Sequence, residues 1–269
     1  MNDLVLVHFS DLHFGSRAQG LAPADAFRRA VEACTPYING APSVLAISGD
    51  VSNRGAQNGY VEARRSLGQA SAMFPPASII MCPGNHDIVS GSFDAFNRFA
   101  FEVTNDPHQK WTERTPVATV MRHGYRFVLV NSYFKRDHSR GSIPLEHLRG
   151  ALAAHAGDPT IVLVHDSPIS SSYGGQSLID GYDFLDLVSR AGAVAAVHGH
   201  VHSDQALLIG TKPTLVSGAG SLAFPPDPNM NNHFSVYKFR SARASEGYSF
   251  RYHANRGAFL PTKMESIGA

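Results

Sequence analysis

Short, continuously apolar runs recur along the chain at residues 4–9, 43–47, 78–81, 160–164 and 193–197. Runs of this length without polar alternation are the mark of strands buried on both faces. Between them, helical apolar spacing predicts helices over 23–38, 57–73, 92–103, 144–156 and 180–191, several with Pro or Ser at their starts. Residues 117–121 and 126–130 are strand-like and flank His123-Gly124, which reads as a hairpin turn. The tail adds strands at 205–209, 214–217, 234–239 and 248–252 with no helix among them. Alternating strands and helices argue a layered α/β core, and the strand-only tail requires further sheet. Two sheets packed face to face and flanked by helices accommodate both. No internal repeat or low-complexity linker divides the chain, so one domain over residues 1–269 is expected.

Composition narrows the setting. A chain of 269 residues can bury a substantial core, and 43% hydrophobic with 17% charged residues is ordinary for soluble protein. A formal net charge of +1 gives no bulk attraction for polyanions, which disfavours nucleic acid without forbidding a local basic patch. The apolar stretches are strand length and no basic-then-apolar leader is visible, so no membrane contact and a cytoplasmic location are expected. Cys34 and Cys82 read as small core residues rather than a disulfide.

The chemistry stands at the ends of the apolar runs. Ser10-Asp11-Leu12-His13, Gly49-Asp50, Gly84-Asn85-His86-Asp87, His165 and Gly199-His200-Val201-His202 each close one run. In layered α/β folds the ligand crevice lies outside the carboxyl ends of the strands, so these blocks would converge on one sheet edge. Taken singly, several have bland readings. Asp-x-His suits a cap or turn, Gly-Asp is a common turn dipeptide, and His165 or His198 alone suits a satisfied core histidine. Gly-Asn-His-Asp makes poor structural sense after a buried strand, and two histidines two apart on an extended segment point to the same side. Five strand-end blocks drawn from one chemical menu decide the matter. Asp, Asn and His without thiolate suit borderline divalent ions such as Mn, Fe, Co or Zn in a catalytic site.

Asp11-x-His13, Gly49-Asp50, Gly84-Asn85-His86-Asp87, His165 and Gly199-His200-x-His202 resemble, in order and spacing, the calcineurin-like metallophosphoesterases. The resemblance runs from about Val5 to about Phe239. It implies a four-layer αββα sandwich of two mixed sheets with a dinuclear centre at the carboxyl ends of the strands. It further implies that Asp11, His13, Asp50 and His202 hold one divalent transition metal (Mn, Fe or Zn). Asp50, Asn85, His165 and His200 would hold the other, with Asp50 as the bridge. His86 would stand beside the metals without binding them, and Asp87 would orient it.

Elementary chemistry is consistent with those roles. Only a carboxylate, hence Asp11 or Asp50, has two oxygens with which to span two cations. Two cations roughly 3.5 to 4 Å apart clamp both oxygens of an in-line displacement at phosphorus and acidify a bound water, the expected nucleophile. His86 is suited to give a hydrogen bond or a proton to the phosphate or the leaving oxygen, and a nearby Asp87 carboxylate would favour its protonated form. Two positions depart from frequent subfamily patterns. Asn53 stands where many relatives have Asp, and Asp166 where many cyclic-nucleotide relatives have a second His.

For substrate, Ser10-Asp11-Leu12-His13-Phe14-Gly15, Arg54-Gly55 after the Gly-Asp block and the intact Gly-Asn-His-Asp are similar to class III cyclic-nucleotide phosphodiesterases. That similarity implies hydrolysis of a 3′,5′-cyclic nucleotide. A nuclease, a 2′,3′-cyclic nucleotide phosphodiesterase and a phosphomonoesterase are the alternatives, and an inactive metal-binding interaction module is a more distant one. Relatives are often dimers, so a homodimer is the expected assembly if one forms. Three loops are candidate rims: 166–181, a possible lid; 133–141, with Lys135, Arg136, His138 and Arg140; and 223–232, rich in Pro and Asn.

Overall fold

Side-chain alternation along the buried strands sorts the chain into layers. The computed structural model describes residues 3–16, 21–136, 139–154, 157–170, 177–223 and 231–267. In the first sheet, β1 (Leu4–Phe9), β2 (Ser43–Ile47) and β3 (Ile79–Met81) run parallel. The β1 strand also pairs antiparallel with β10 (His233–Arg240), which leads into antiparallel β11 (Arg243–His253) and β12 (Ala258–Lys263). In the second sheet, β5 (Tyr125–Val130), β6 (Thr160–Val164), β7 (Ala195–His198) and β9 (Thr214–Gly218) are parallel. Antiparallel β4 (Val117–Arg122) and β8 (Gln205–Ile209) close its two edges.

The period of two along β5 and β6 shows which face meets which layer. Phe127, Leu129, Ile161 and Leu163 share one core with the first sheet. Their neighbours Val128, Val130, Val162 and Val164 pack against Leu148 and Leu152 of α4 (Leu145–Ala153) and Phe184 and Val188 of α5 (Gly181–Arg190). On the other side α1 (Pro23–Ile38) covers β1, β10 and β12, while α3 (Asp94–Thr104) covers β3 and packs on α2 (Gln57–Gln69). The result is helix, sheet, sheet, helix: the expected αββα sandwich of two mixed sheets.

Helix α1 has the expected bounds, with Pro23 in its first turn and Asn39 in the left-handed conformation closing it. Helix α2 ends short of the predicted residue 73, because turns at residues 70–74 carry the chain into buried Phe74 and then Pro75-Pro76, where a helix cannot continue. Strand β12 was not expected: Pro261 interrupts its pattern, and that residue is tolerated because β12 is an edge strand paired only with β11. Both cysteines are buried and free. Among the described residues, no helix is long and apolar enough to cross a membrane.

Candidate metal centre

The carboxyl ends of β1, β2, β3, β6 and β7 meet at one edge of the sandwich. Sharp turns make the meeting possible. Asp11, His13, Asp50, His200 and His202 all have left-handed backbones, with φ of 52, 46, 53, 69 and 50°. Such conformations cost non-glycine residues about 1–3 kcal/mol each and persist where the surroundings enforce them. Glycines let the blocks touch. At Gly49 (φ 90°) a Cβ would lie 2.7 Å from both Gly84 N and His165 Nδ1, and a Cβ at Gly84 would collide with the Asp50 carboxylate.

Two groups of donor atoms form. In one, Asp11 Oδ1 lies 3.2 Å from His202 Nε2 and 3.8 Å from His13 Nε2. In the other, His165 Nε2 lies 3.2 Å from Asn85 Oδ1, 3.2 Å from His200 Nδ1 and 3.6 Å from Asp50 Oδ2. Asp50 Oδ2 joins them, since it is also 3.8 Å from His13 Nε2. One oxygen therefore faces both groups, while Oδ1 accepts the His86 backbone N–H at 2.8 Å. Oδ2 is thus the Asp50 oxygen turned toward both groups, while the Gly-Asn-His-Asp turn engages the other.

Fixed partners aim the donors. Ser10 Oγ (2.6 Å) and His200 N–H (3.0 Å) both donate to Asp11 Oδ2, which leaves Oδ1 for the cluster. His165 Nδ1 donates to Ser48 O at 2.6 Å, so its Nε2 points into the cluster. Nothing in the sequence singled out Ser10 or Ser48 for this work; a hydroxyl or carbonyl at a strand end carries no distinguishing pattern.

The electrostatics are those of a site built around cations. Burial alone raises a carboxyl, but at Asp11 the charges of His202, His165 and His13 outweigh it and hold the group well below the usual range. At Asp50 burial, with the Asp11 and Asp87 carboxylates, prevails over His165 and the His86 N–H and pushes the group well above that range. His13 is lowered to about 3 by burial against the pull of Asp11. At His165 burial is overcome by Asp50, Asp11 and Asp166, which raise it to about 9. Two carboxylates this close cannot both ionise cheaply without positive charge between them.

The donor set fits divalent ions. Separations of 3.6–3.8 Å between imidazole nitrogens and carboxylate oxygens are too long for hydrogen bonds. They match the roughly 3.4 Å between two donors that share one tetrahedral cation at about 2.1 Å. Asp11, His13 and His202 form one group able to hold a metal ion, and Asp11, Asp50 and His165 another, each with its donor atoms within 4.8 Å. His86 forms a third such group with His13 and Asp50, its ring edge-on to that of His13 at 4.8 Å.

The reading of Asp87 needs correction. Its carboxylate turns inward and accepts backbone N–H groups from Gly84, Val51 and Ser52 at 3.0–3.2 Å and the Tyr60 hydroxyl at 3.0 Å. Asp87 thus ties the second and third blocks together and does not orient His86. The His86 ring is held instead by the Arg54 N–H, 3.3 Å from Nδ1, with Arg54 itself left-handed at φ 54°. Nor is His86 driven toward its protonated form: burial, then His165, lowers it to about 4, with Asp11 opposing.

Of the rim loops, 171–176, His138 and 224–230 lie outside the described residues, so the 166–181 and 223–232 segments are seen only at their ends. In the 133–141 loop, Arg136 pairs with Glu113 at 2.6 Å on the exposed surface. That is the solvated arrangement usual for a charge run.

Comparison with known proteins shows the family. The Calcineurin-like phosphoesterase family model matches residues 4–204. A Rhodococcus erythropolis protein named "Probable cyclic nucleotide phosphodiesterase" is 27% identical over 234 residues, which cover 84% of this chain and 73% of that one. A glycerophosphodiester phosphodiesterase, GpdQ, from Enterobacter lignolyticus is 24% identical over 210 residues, 74% of this chain and 71% of that one. Among solved structures, GAP50 of Plasmodium, the anchor in the inner membrane complex, shares the fold at 12% identity and a TM-score of 0.55, with 98% of this chain and 89% of that one covered. All five strand-end blocks fall within the matched span, and on that match the chain belongs to the calcineurin-like phosphoesterase family and is a hydrolytic metallophosphoesterase.

Proposed function

We propose that the chain hydrolyses a small phosphate diester, a 3′,5′-cyclic nucleotide, at a centre that holds two divalent transition metals. The observation that carries this reading is the Asp50 Oδ2 atom, which faces His13 on one side and His165 on the other. Asp11, His13, Asp50 and His202 would hold one ion; Asp50, Asn85, His165 and His200 the other. When bound, the two ions supply Lewis acidity toward the phosphoryl oxygens and ionise water near neutral pH.

The remaining work falls to side chains of this chain. His86 accepts a backbone N–H at Nδ1, so the neutral ring keeps its proton on Nε2. From there it donates a hydrogen bond to a phosphoryl or leaving oxygen. Asp87 keeps the turn carrying Asn85 and His86 seated against Asp50, and exposed Arg54 sets a positive charge beside His86, where an anionic substrate would approach. The names of the two curated relatives support a small diester. The 27% relative favours the cyclic nucleotide, and the 24% relative makes a glycerophosphodiester the second reading. Buried, free Cys34 and Cys82 fit the reducing cytoplasm that we infer as its location.

One assay tests this. Manganese-loaded protein is given cyclic AMP, 2′,3′-cyclic AMP, a glycerophosphodiester, single-stranded DNA and an aryl phosphomonoester side by side. Cyclic AMP is expected to turn over fastest. Rapid DNA cleavage with inert cyclic AMP would overturn the substrate, and failure on every diester would overturn the diesterase reading itself.

A further inference from the structure

Asp166 follows His165 directly, is 1% exposed, and has no place among the donors described above. Its surroundings are closely built. Oδ1 accepts the Tyr133 hydroxyl at 2.6 Å, Oδ2 accepts the Ser132 hydroxyl, and a Cβ at Gly141 would collide with the carboxylate. Tyr133 in turn packs with Ile88 and Phe93 just beyond the Gly-Asn-His-Asp block. The carboxylate is thus fixed from one side by the loop after β5, and its free direction is toward His200. Oδ1 lies 3.8 Å from His200 Nε2, beyond direct hydrogen-bond length but within ion-pair range of the ring, while the other ring nitrogen, Nδ1, faces His165 Nε2 at 3.2 Å.

An imidazole that offers one nitrogen to a cation must carry its proton on the other, and a carboxylate on that side favours this tautomer by its charge and would close to a hydrogen bond as the ring turns to the cation. Ser48 O performs this service for His165; the groove behind His200 contains a charged group instead. We propose that Asp166 is a positioning residue that holds His200 with Nδ1 turned to the second cation and strengthens that nitrogen as a donor. The inference rests on the two-cation reading. It assigns a purpose to the one position beside a candidate ligand where this chain departs from the cyclic-nucleotide pattern: a carboxylate there makes the second cation depend on a buried charge that a histidine would not supply.

The test measures cation affinity by competition between protein and a chelating indicator, together with the visible spectrum of the cobalt(II)-loaded protein. Wild type should bind two cations. Asp166→Asn should weaken one of them by about 10- to 100-fold, the range for loss of such an outer partner, and alter the cobalt spectrum. Tyr133→Phe, which removes a donor to Asp166 but no charge, should leave both affinities within about twofold. In a His200→Ala background, Asp166→Asn should have no further effect, because the residue acts through His200. Unchanged affinities in Asp166→Asn, or an equal loss in the His200→Ala background, would overturn the inference and leave the metal centre standing. A wild type that binds fewer than two cations would overturn the metal reading, and this one with it. If melting curves show that Asp166→Asn does not fold, Asp166→Ser, which removes charge and volume together, takes its place in the same measurements.

Discussion

Asp50 and His86 are adjacent in space, and the proposed reading gives them separable work that single substitutions should divide. Asp50 Oδ2 belongs to both donor groups and Oδ1 anchors the His86 backbone. Asp50→Ala should therefore lower metal content at both positions and abolish turnover, with metal counted by elemental analysis of the purified variant. His86 has its Nδ1 engaged by the Arg54 N–H and its ring on the partly exposed side of the cluster. His86→Ala should retain both metals and slow hydrolysis by roughly two to four orders of magnitude, the contribution of a lost proton or hydrogen-bond donor. Metal loss in that variant would mean that the contact with His13 and Asp50 is a coordinating one.

At the scale of elements, strands and helices were legible wherever burial imposed a period. The fully apolar runs became β1, β2, β3, β6 and β7, and each set a polar block at the one crevice. What was not legible came from long-range packing. Pro261 hides β12, whose pairing with β11 requires an edge position that no local pattern announces. Arg126 sits in a strand run yet is 2% exposed, because its guanidinium donates to Ala151 O, Leu152 O and Thr160 Oγ1 and so closes the last turn of α4. The inward turn of Asp87 was equally hidden, since its acceptors are filled by backbone groups far away in sequence.

One tie between elements has a pH signature. Asp106, just after α3, accepts from Arg122 at the end of β4. Burial would raise this carboxyl, but the Arg122 donor and the His108 N–H outweigh it and hold it below its ordinary value. A depressed folded pKa stabilises above the unfolded value, about 3.9, and the contribution fades as pH falls through the folded one. Asp106→Asn should cost about 1 kcal/mol near neutrality, the upper end of the range for exposed pairs, because both side chains are largely covered. In melts from about pH 6 down to about pH 3, the gap from wild type should close on the acid side. A constant gap would remove the ion pair as its cause.

For the whole molecule, the candidate centre is also a joint between the two sheets. Asp11, Asp50 and Asn85 follow strands of the first sheet; His165, His200 and His202 follow strands of the second. Without cations the joint contains two neighbouring carboxylates and several left-handed turns, and bound cations would offset the charge that the carboxylates share. An ion that binds only the folded chain stabilises it by mass action, about 2.7 kcal/mol per site at a hundredfold excess over Kd. For a chain of this size that is a rise in Tm of about 5 °C per site. Chelation followed by titration with manganese should therefore move the melting transition upward, and calorimetry is the direct measurement. The shift should persist in His86→Ala and be largely lost in Asp50→Ala, because the first removes a group that faces substrate and the second removes the oxygen through which the sheets would share both ions. A melting temperature indifferent to manganese in the wild type would mean that this edge is held by hydrogen bonds alone, and the dinuclear reading would fall with it.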